Sequence, residues 1–127
     1  YGAQIVKNAK VLAEELSKFG FDLVSGSTKT HLMVVNLKNK GVTGGDTALL
    51  LESAGIVCNK NSVIGDEKPF NPSGIRLGTP LVTSRGMKEK EMKMIALWIH
   101  QIIDLKESPV KVQKEVLALC KKFPLPY

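Results

Sequence analysis

Apolar residues recur at three- and four-residue steps near the start of the chain. Ile5, Ala9, Leu12, Leu16 and Phe19 form one stripe, and that period predicts an amphipathic helix over 2–19. Gly20 is a natural stop, because glycine takes the left-handed conformation that closes a helix. Phe21-Asp22-Leu23-Val24 then alternates as a short strand does. Ser25-Gly26-Ser27-Thr28 has loop composition. His31 to Leu37 is the clearest strand, and its run Leu32-Met33-Val34-Val35 is apolar enough to be covered on both faces. A polar, glycine-bearing connection follows over 38–45. Thr43-Gly44-Gly45-Asp46 fits a variant capping box, opening a helix over 44–54 that carries Ala48, Leu49, Leu50 and Leu51 and stops at Gly55.

Ile56-Val57-Cys58 reads as a short strand, 59–72 as a long polar loop, and Ile75 to Gly78 as another short strand. Thr83-Ser84-Arg85-Gly86 is a turn. The strongest helix runs from Lys88 to Leu105. Met92, Ile95, Ile99 and Ile102 make one face, and Leu97, Trp98 and Ile103 widen it toward more than one neighbour. Ser108-Pro109 supplies an N-cap and an N1 proline for a final helix with Val112, Val116, Leu119 and Cys120, ended by Pro124. The order helix, strand, strand, helix, strand, strand, helix, helix predicts an α+β fold, a small and mainly antiparallel sheet covered by helices. Its 127 residues suit one domain, 1–127.

Composition narrows the classes of function. With 43% hydrophobic and 24% charged residues, the chain reads as an ordinary globular unit. No apolar run reaches membrane length and no signal peptide is visible, so no membrane role is expected. Opening on Tyr1 inside a helical pattern, the chain reads as a piece of a longer protein. Cys58 and Cys120 lie outside any Cys-x-x-Cys pair, which predicts two reduced, partly buried thiols in a cytoplasmic protein and no metal site. The net charge of +6 could draw an anionic partner. The lysines are spread among glutamates on every helix, however, and no aromatic-and-arginine stripe suits base stacking, so no nucleic-acid partner is expected.

The richest segment for chemistry is 59–80. Strand alternation sends Ile75 and Leu77 to one face and Arg76 to the other. Gly74 and Gly78 flank the trio and leave room for a ligand or another backbone. An arginine on a rigid strand suits a bidentate grip on a carboxylate, although by spacing alone most arginines pair with a local carboxylate or reach solvent. Other features read as structural. Gly41 to Gly45 lacks the lysine of a phosphate loop and reads as a helix entry. His31 and His100 have no adjacent nucleophile or ligand set. Trp98, Met87, Met92 and Met94 read as filling for the core or an interface. Asp66-Glu67 is a solvated loop pair.

Ser73-Gly74-Ile75-Arg76-Leu77-Gly78-Thr79-Pro80 followed by Thr83-Ser84-Arg85-Gly86 resembles the signature run of serine hydroxymethyltransferases. Asn59-Lys60-Asn61, Gly20-Phe21-Asp22-Leu23-Val24-Ser25-Gly26 with His31-Leu32, Gly41-Val42-Thr43-Gly44 and Lys122-Phe123-Pro124-Leu125 are similar to the same family, in the same order. The resemblance spans essentially the whole chain. It implies the C-terminal small domain of a fold-type I enzyme dependent on pyridoxal phosphate. That enzyme interconverts serine plus tetrahydrofolate with glycine plus 5,10-methylenetetrahydrofolate, as a homodimer or homotetramer, in the cytoplasm or, in another form, the mitochondrion.

The resemblance assigns Arg76 to the amino-acid carboxylate and Asn61 to the folate pterin ring, with Ser62 and Phe70 near the folate. An asparagine offers both the donor and the acceptor that a pterin edge requires. The family's cofactor lysine sits in a run of threonines, histidine and lysine, and no such run occurs among these residues. Nor does a matching motif for the aspartate at the pyridine nitrogen, the histidine on the ring or the catalytic glutamate. The chain is therefore expected to be inactive alone, to bind no cofactor by itself, and to form one wall of a site completed elsewhere. Two alternatives stay open at this stage: a stand-alone basic α+β binding module, and the small domain of another fold-type I enzyme.

Overall fold

A computed structural model describes residues 2–24, 32–56, 58–61, 72–78 and 86–123. In chain order these form α1 (Gly2–Lys18), β1 (Asp22–Leu23), β2 (Leu32–Asn36), a 3-10 turn (Lys38–Lys40), α2 (Gly44–Ser53), β3 (Asn59–Asn61), β4 (Gly74–Gly78), α3 (Glu89–Ile103) and α4 (Pro109–Lys122). The element order matches the expected α+β plan. All strands pair antiparallel, in the spatial order β1-β2-β4-β3.

Register explains the two faces of this sheet. Leu23 pairs with Val35, Val35 with Ile75, and Met33 with Leu77. All five are buried. They meet Ala9, Leu12 and Leu16 of α1, Leu51 of α2, Met92, Ala96 and Ile99 of α3, and Val112 and Val116 of α4 in one hydrophobic cluster. The helices therefore cover the face that carries these residues. Burying a side chain of this size contributes about 1.5–3 kcal/mol, so the cluster carries most of the stability.

Local chemistry sets the ends of the elements. Gly20 closes α1 with φ +86, which only glycine adopts without a Cβ clash. Thr43 caps α2, its Oγ1 accepting from the Asp46 N–H at 3.2 Å. Glu91 reaches back so that its carboxylate accepts from the Lys88 N–H at 2.8 Å at the start of α3. Pro109 stands in the first turn of α4, while the Ser108 side chain makes no capping bond.

Several expectations need correction. Ile56 and Cys58, expected in a strand, lie outside regular structure, Val57 falls outside the described residues, and the strand is Asn59–Asn61. An edge strand is held by its backbone ladder, so it can form from polar residues where one side faces solvent. The apolar run of β2 is not buried on both sides: Met33 and Val35 are buried, Val34 only half so. Leu49, Leu50 and Leu97 are exposed although apolar, while Thr47 of α2 and Ala54, just past its end, take core positions. Lys38–Lys40, expected as plain connection, forms a 3-10 turn. No described helix is long and apolar enough to cross a membrane. The readings at Ser25 to Thr28, His31, Asp66-Glu67, Thr83 to Arg85 and Pro124 lie outside the described residues.

Candidate functional site

Arg76 occupies the middle of β4, a strand with neighbours on both sides. Its own neighbours Ile75 and Leu77 are 1% and 5% exposed, whereas Arg76 is exposed. The period of two thus anchors the arginine's backbone in the core and presents its side chain on the opposite face. Among the described residues, Arg76 makes no ion pair or side-chain hydrogen bond, and its guanidinium is exposed.

The ladder places other polar groups beside it. Val34, Arg76 and Asn59 form one row across β2, β4 and β3. Asp22, Asn36, Gly74 and Asn61 form the next row across all four strands. Residues directly paired share a face, so Arg76 and Asn61 stand on the same side of adjacent strands, as diagonal neighbours about 7–8 Å apart at the backbone. Asn59 lies directly opposite Arg76 and is exposed. Asn36 is partly committed, its Oδ1 accepting from the Lys38 N–H at 3.0 Å. Ser62 and Phe70 lie outside the described residues, although Ser62 directly follows the last residue of β3.

Sequence reading missed Asn59 as a member of this face. The signal that could have found it was the pairing of the Asn-Lys-Asn run with the strand of Arg76, obscured by reading 59–72 as loop.

The face offers a planar cation flanked by carboxamides, with one further carboxylate, Asp22, at the far edge strand. Such a set can hold an anionic group bidentately and satisfy mixed donors and acceptors beside it. Among the described residues it contains no nucleophile beside a base, and no group of three metal-ligating side chains occurs.

The described residues do not fit pyridoxal phosphate, which needs a lysine amine free to react, a carboxylate at its ring nitrogen and a phosphate cradle. Lys40 alone among the described lysines is drawn out of full exposure. Its Nζ is committed to the Phe19 carbonyl at 3.0 Å and to both Asp104 oxygens at 3.0 and 3.1 Å, and it lies 4.5 Å from the Phe21 ring centroid.

The remaining candidates are structural. His100 meets Asp104 Oδ2 through Nδ1 at 2.6 Å and stacks on Phe19 with ring centroids 4.2 Å apart. Trp98, Met87 and Met92 are buried, and Met94 packs on the core at partial exposure. Trp98 Nε1 donates to Glu115 at 3.1 Å, tying α3 to α4. Both cysteines are free and half-buried. Burial, and then the Glu52 carboxylate, push the Cys58 thiol up to about 11. At the start of α3, the Glu89 backbone N–H, and then the Gln4 amide, hold the Glu89 carboxyl below its ordinary range.

Fold and face together define a helix-backed antiparallel sheet whose other side presents an exposed arginine among carboxamides. The chain matches the family model for serine hydroxymethyltransferase over residues 1–99. It belongs to the serine hydroxymethyltransferase family, a family of transferases dependent on pyridoxal phosphate. The matched residues include every strand, Arg76 and Asn61. The helix α4 lies beyond them.

Proposed function

We propose that this chain is the C-terminal domain, folded as one unit, of an enzyme that interconverts serine plus tetrahydrofolate with glycine plus 5,10-methylenetetrahydrofolate. Its part is to bind and orient. Arg76 grips the carboxylate of serine or glycine, and Asn61 meets the pterin edge of the folate, with Ser62 and Phe70 beside it. Pyridoxal phosphate and the groups that act on it are held by the rest of the enzyme, a cytoplasmic homodimer or homotetramer.

The observation that carries this reading is the shared face. A carboxylate-binding arginine and a donor–acceptor amide sit on adjacent, rigidly paired strands, so one face can hold the amino acid and the one-carbon acceptor side by side. Fixing both partners in one geometry is where such a wall lowers the barrier.

The test is Arg76→Ala in the complete enzyme. Losing a charged, bidentate partner removes on the order of 3 kcal/mol of substrate binding, about a hundredfold in KM for serine. Pyridoxal phosphate remains stoichiometrically bound. Saturation by serine at ordinary concentrations in that variant would overturn the role.

A further inference from the structure

Gly44, the first residue of α2, touches the ligand face from behind. Its N–H donates to the Pro72 carbonyl at 2.8 Å. A Cβ at Gly44 would overlap the Gly74 carbonyl oxygen, with the Gly74 carbonyl carbon at 3.0 Å and the Pro72 oxygen at 3.1 Å. Every obstacle is backbone, so no side-chain rotation can make room. Gly44 therefore has no carbon to spare where α2 meets the start of β4.

Gly74 is also where the face is set in register. It pairs with Asn36 on one side and Asn61 on the other, and it lies two residues before Arg76 on the same face. The preceding residue is pinned as well, since the Leu37 N–H donates to the Ser73 carbonyl at 2.8 Å. A helix end pressed on Gly74 thus fixes the point from which both Arg76 and Asn61 are measured. The next glycine differs. A Cβ at Gly45 would meet nothing within 4 Å.

We infer that Gly44 is a positioning residue for the ligand face: its bare contact with Gly74 sets where β4 enters the sheet, and with it the spacing of Arg76 and Asn61. This rests on the reading that those two side chains bind the substrates. A methyl group at Gly44 forces α2 and β4 apart by a fraction of a side chain, and Arg76 and Asn61 move against the rest of the active site together. Two binding groups displaced together lose their grip on both ligands at once, which steady-state kinetics reads as a joint rise in the two KM values.

The experiment compares Gly44→Ala, Gly45→Ala and Arg76→Ala in the complete enzyme, with steady-state kinetics for serine and tetrahydrofolate, cofactor stoichiometry and thermal melting. Gly44→Ala raises both KM values about tenfold, the equivalent of one weakened hydrogen bond to each ligand, while cofactor occupancy is retained, and Gly45→Ala behaves as the parent. A merely structural defect would instead lower kcat through loss of active protein and leave both KM values in place. Where Gly44→Ala does not fold, Thr43→Ala decides. It loosens the same helix end without a clash, and raises both KM values by a smaller factor than Gly44→Ala.

Parent-like KM values in folded Gly44→Ala, or in Thr43→Ala, would overturn the inference while Arg76→Ala still shows its defect. An equal rise in Gly45→Ala would overturn it too, since the Gly74 contact would not be the cause. Parent-like serine kinetics in Arg76→Ala would instead remove the reading of the site on which the inference stands.

Discussion

Replacing Lys40 by methionine isolates the polar staple that joins three elements. Methionine keeps most of the apolar stem and removes the amine. The amine is shared by the Phe19 carbonyl at the end of α1, the two oxygens of Asp104 at the end of α3, and the Phe21 ring before β1. A hydrogen bond to a charged group contributes about 1.5–3 kcal/mol, and the ring contact adds about 0.5–1 kcal/mol. Breaking a fully buried ion pair costs about 3–5 kcal/mol. Here the two side chains keep 14% and 19% exposure, and Asp104 retains His100, so the cost falls below that range. We expect Lys40→Met to destabilise the chain by about 2–3 kcal/mol in urea unfolding at pH 7, with an unchanged slope. A cycle with Asp104→Asn should return a coupling of about 1–2 kcal/mol. A cost under about 0.5 kcal/mol would place this pair with ordinary surface ion pairs and refute the staple.

Two other perturbations test the frame. Thr43→Ala removes the oxygen that accepts from the Asp46 N–H and should cost about 1 kcal/mol in the same assay; no change in midpoint would show that α2 starts without its cap. The Cys58 thiol, raised from 9.0 to about 11, holds its proton more tightly in the folded chain than in the unfolded one. Its contribution is therefore complete below pH 9 and is lost as pH rises toward about 11. Cys58→Ser should flatten that alkaline decline in urea titrations, and Cys58 should react with a thiol reagent at pH 8 far more slowly in the folded chain than in urea; equal rates would contradict the shift.

Much of the fold could be read from periodicity, because the long elements repeat their apolar residues with the period of the structure they form. α1, α3 and β2 stand within a residue or two of their expected ranges. The third strand could not be read that way. Its three residues, Asn59, Lys60 and Asn61, hold their place through backbone pairing with β4, which leaves no apolar signature, while the apolar Ile56 and Cys58 beside them are not in a strand. Leu49 and Leu97 show the converse, since apolar identity does not fix which side of a helix meets the core. For the site, alternation was enough to turn Arg76 away from the core. Its adjacency to Asn61 depends on a register between distant segments, which no local pattern specifies. The Lys40 staple joins residues 21 and 64 positions apart, and escaped notice for the same reason.

The division of labour along β4 has a consequence for how such a surface can change over time. Ile75 and Leu77 answer to packing, and Arg76, between them, answers to whatever the surface must hold. Exposed positions away from caps and cores usually shift stability by no more than about 0.5 kcal/mol. The two sets of demands therefore fall on alternate letters of one short word, and the exposed letters at 59 and 76 can be rewritten without re-solving the interior. Among the described residues, helices back this sheet on one side, and its other face is in this sense a writable tablet: a new small-molecule preference could arise here by a few substitutions, on a scaffold that would scarcely register them.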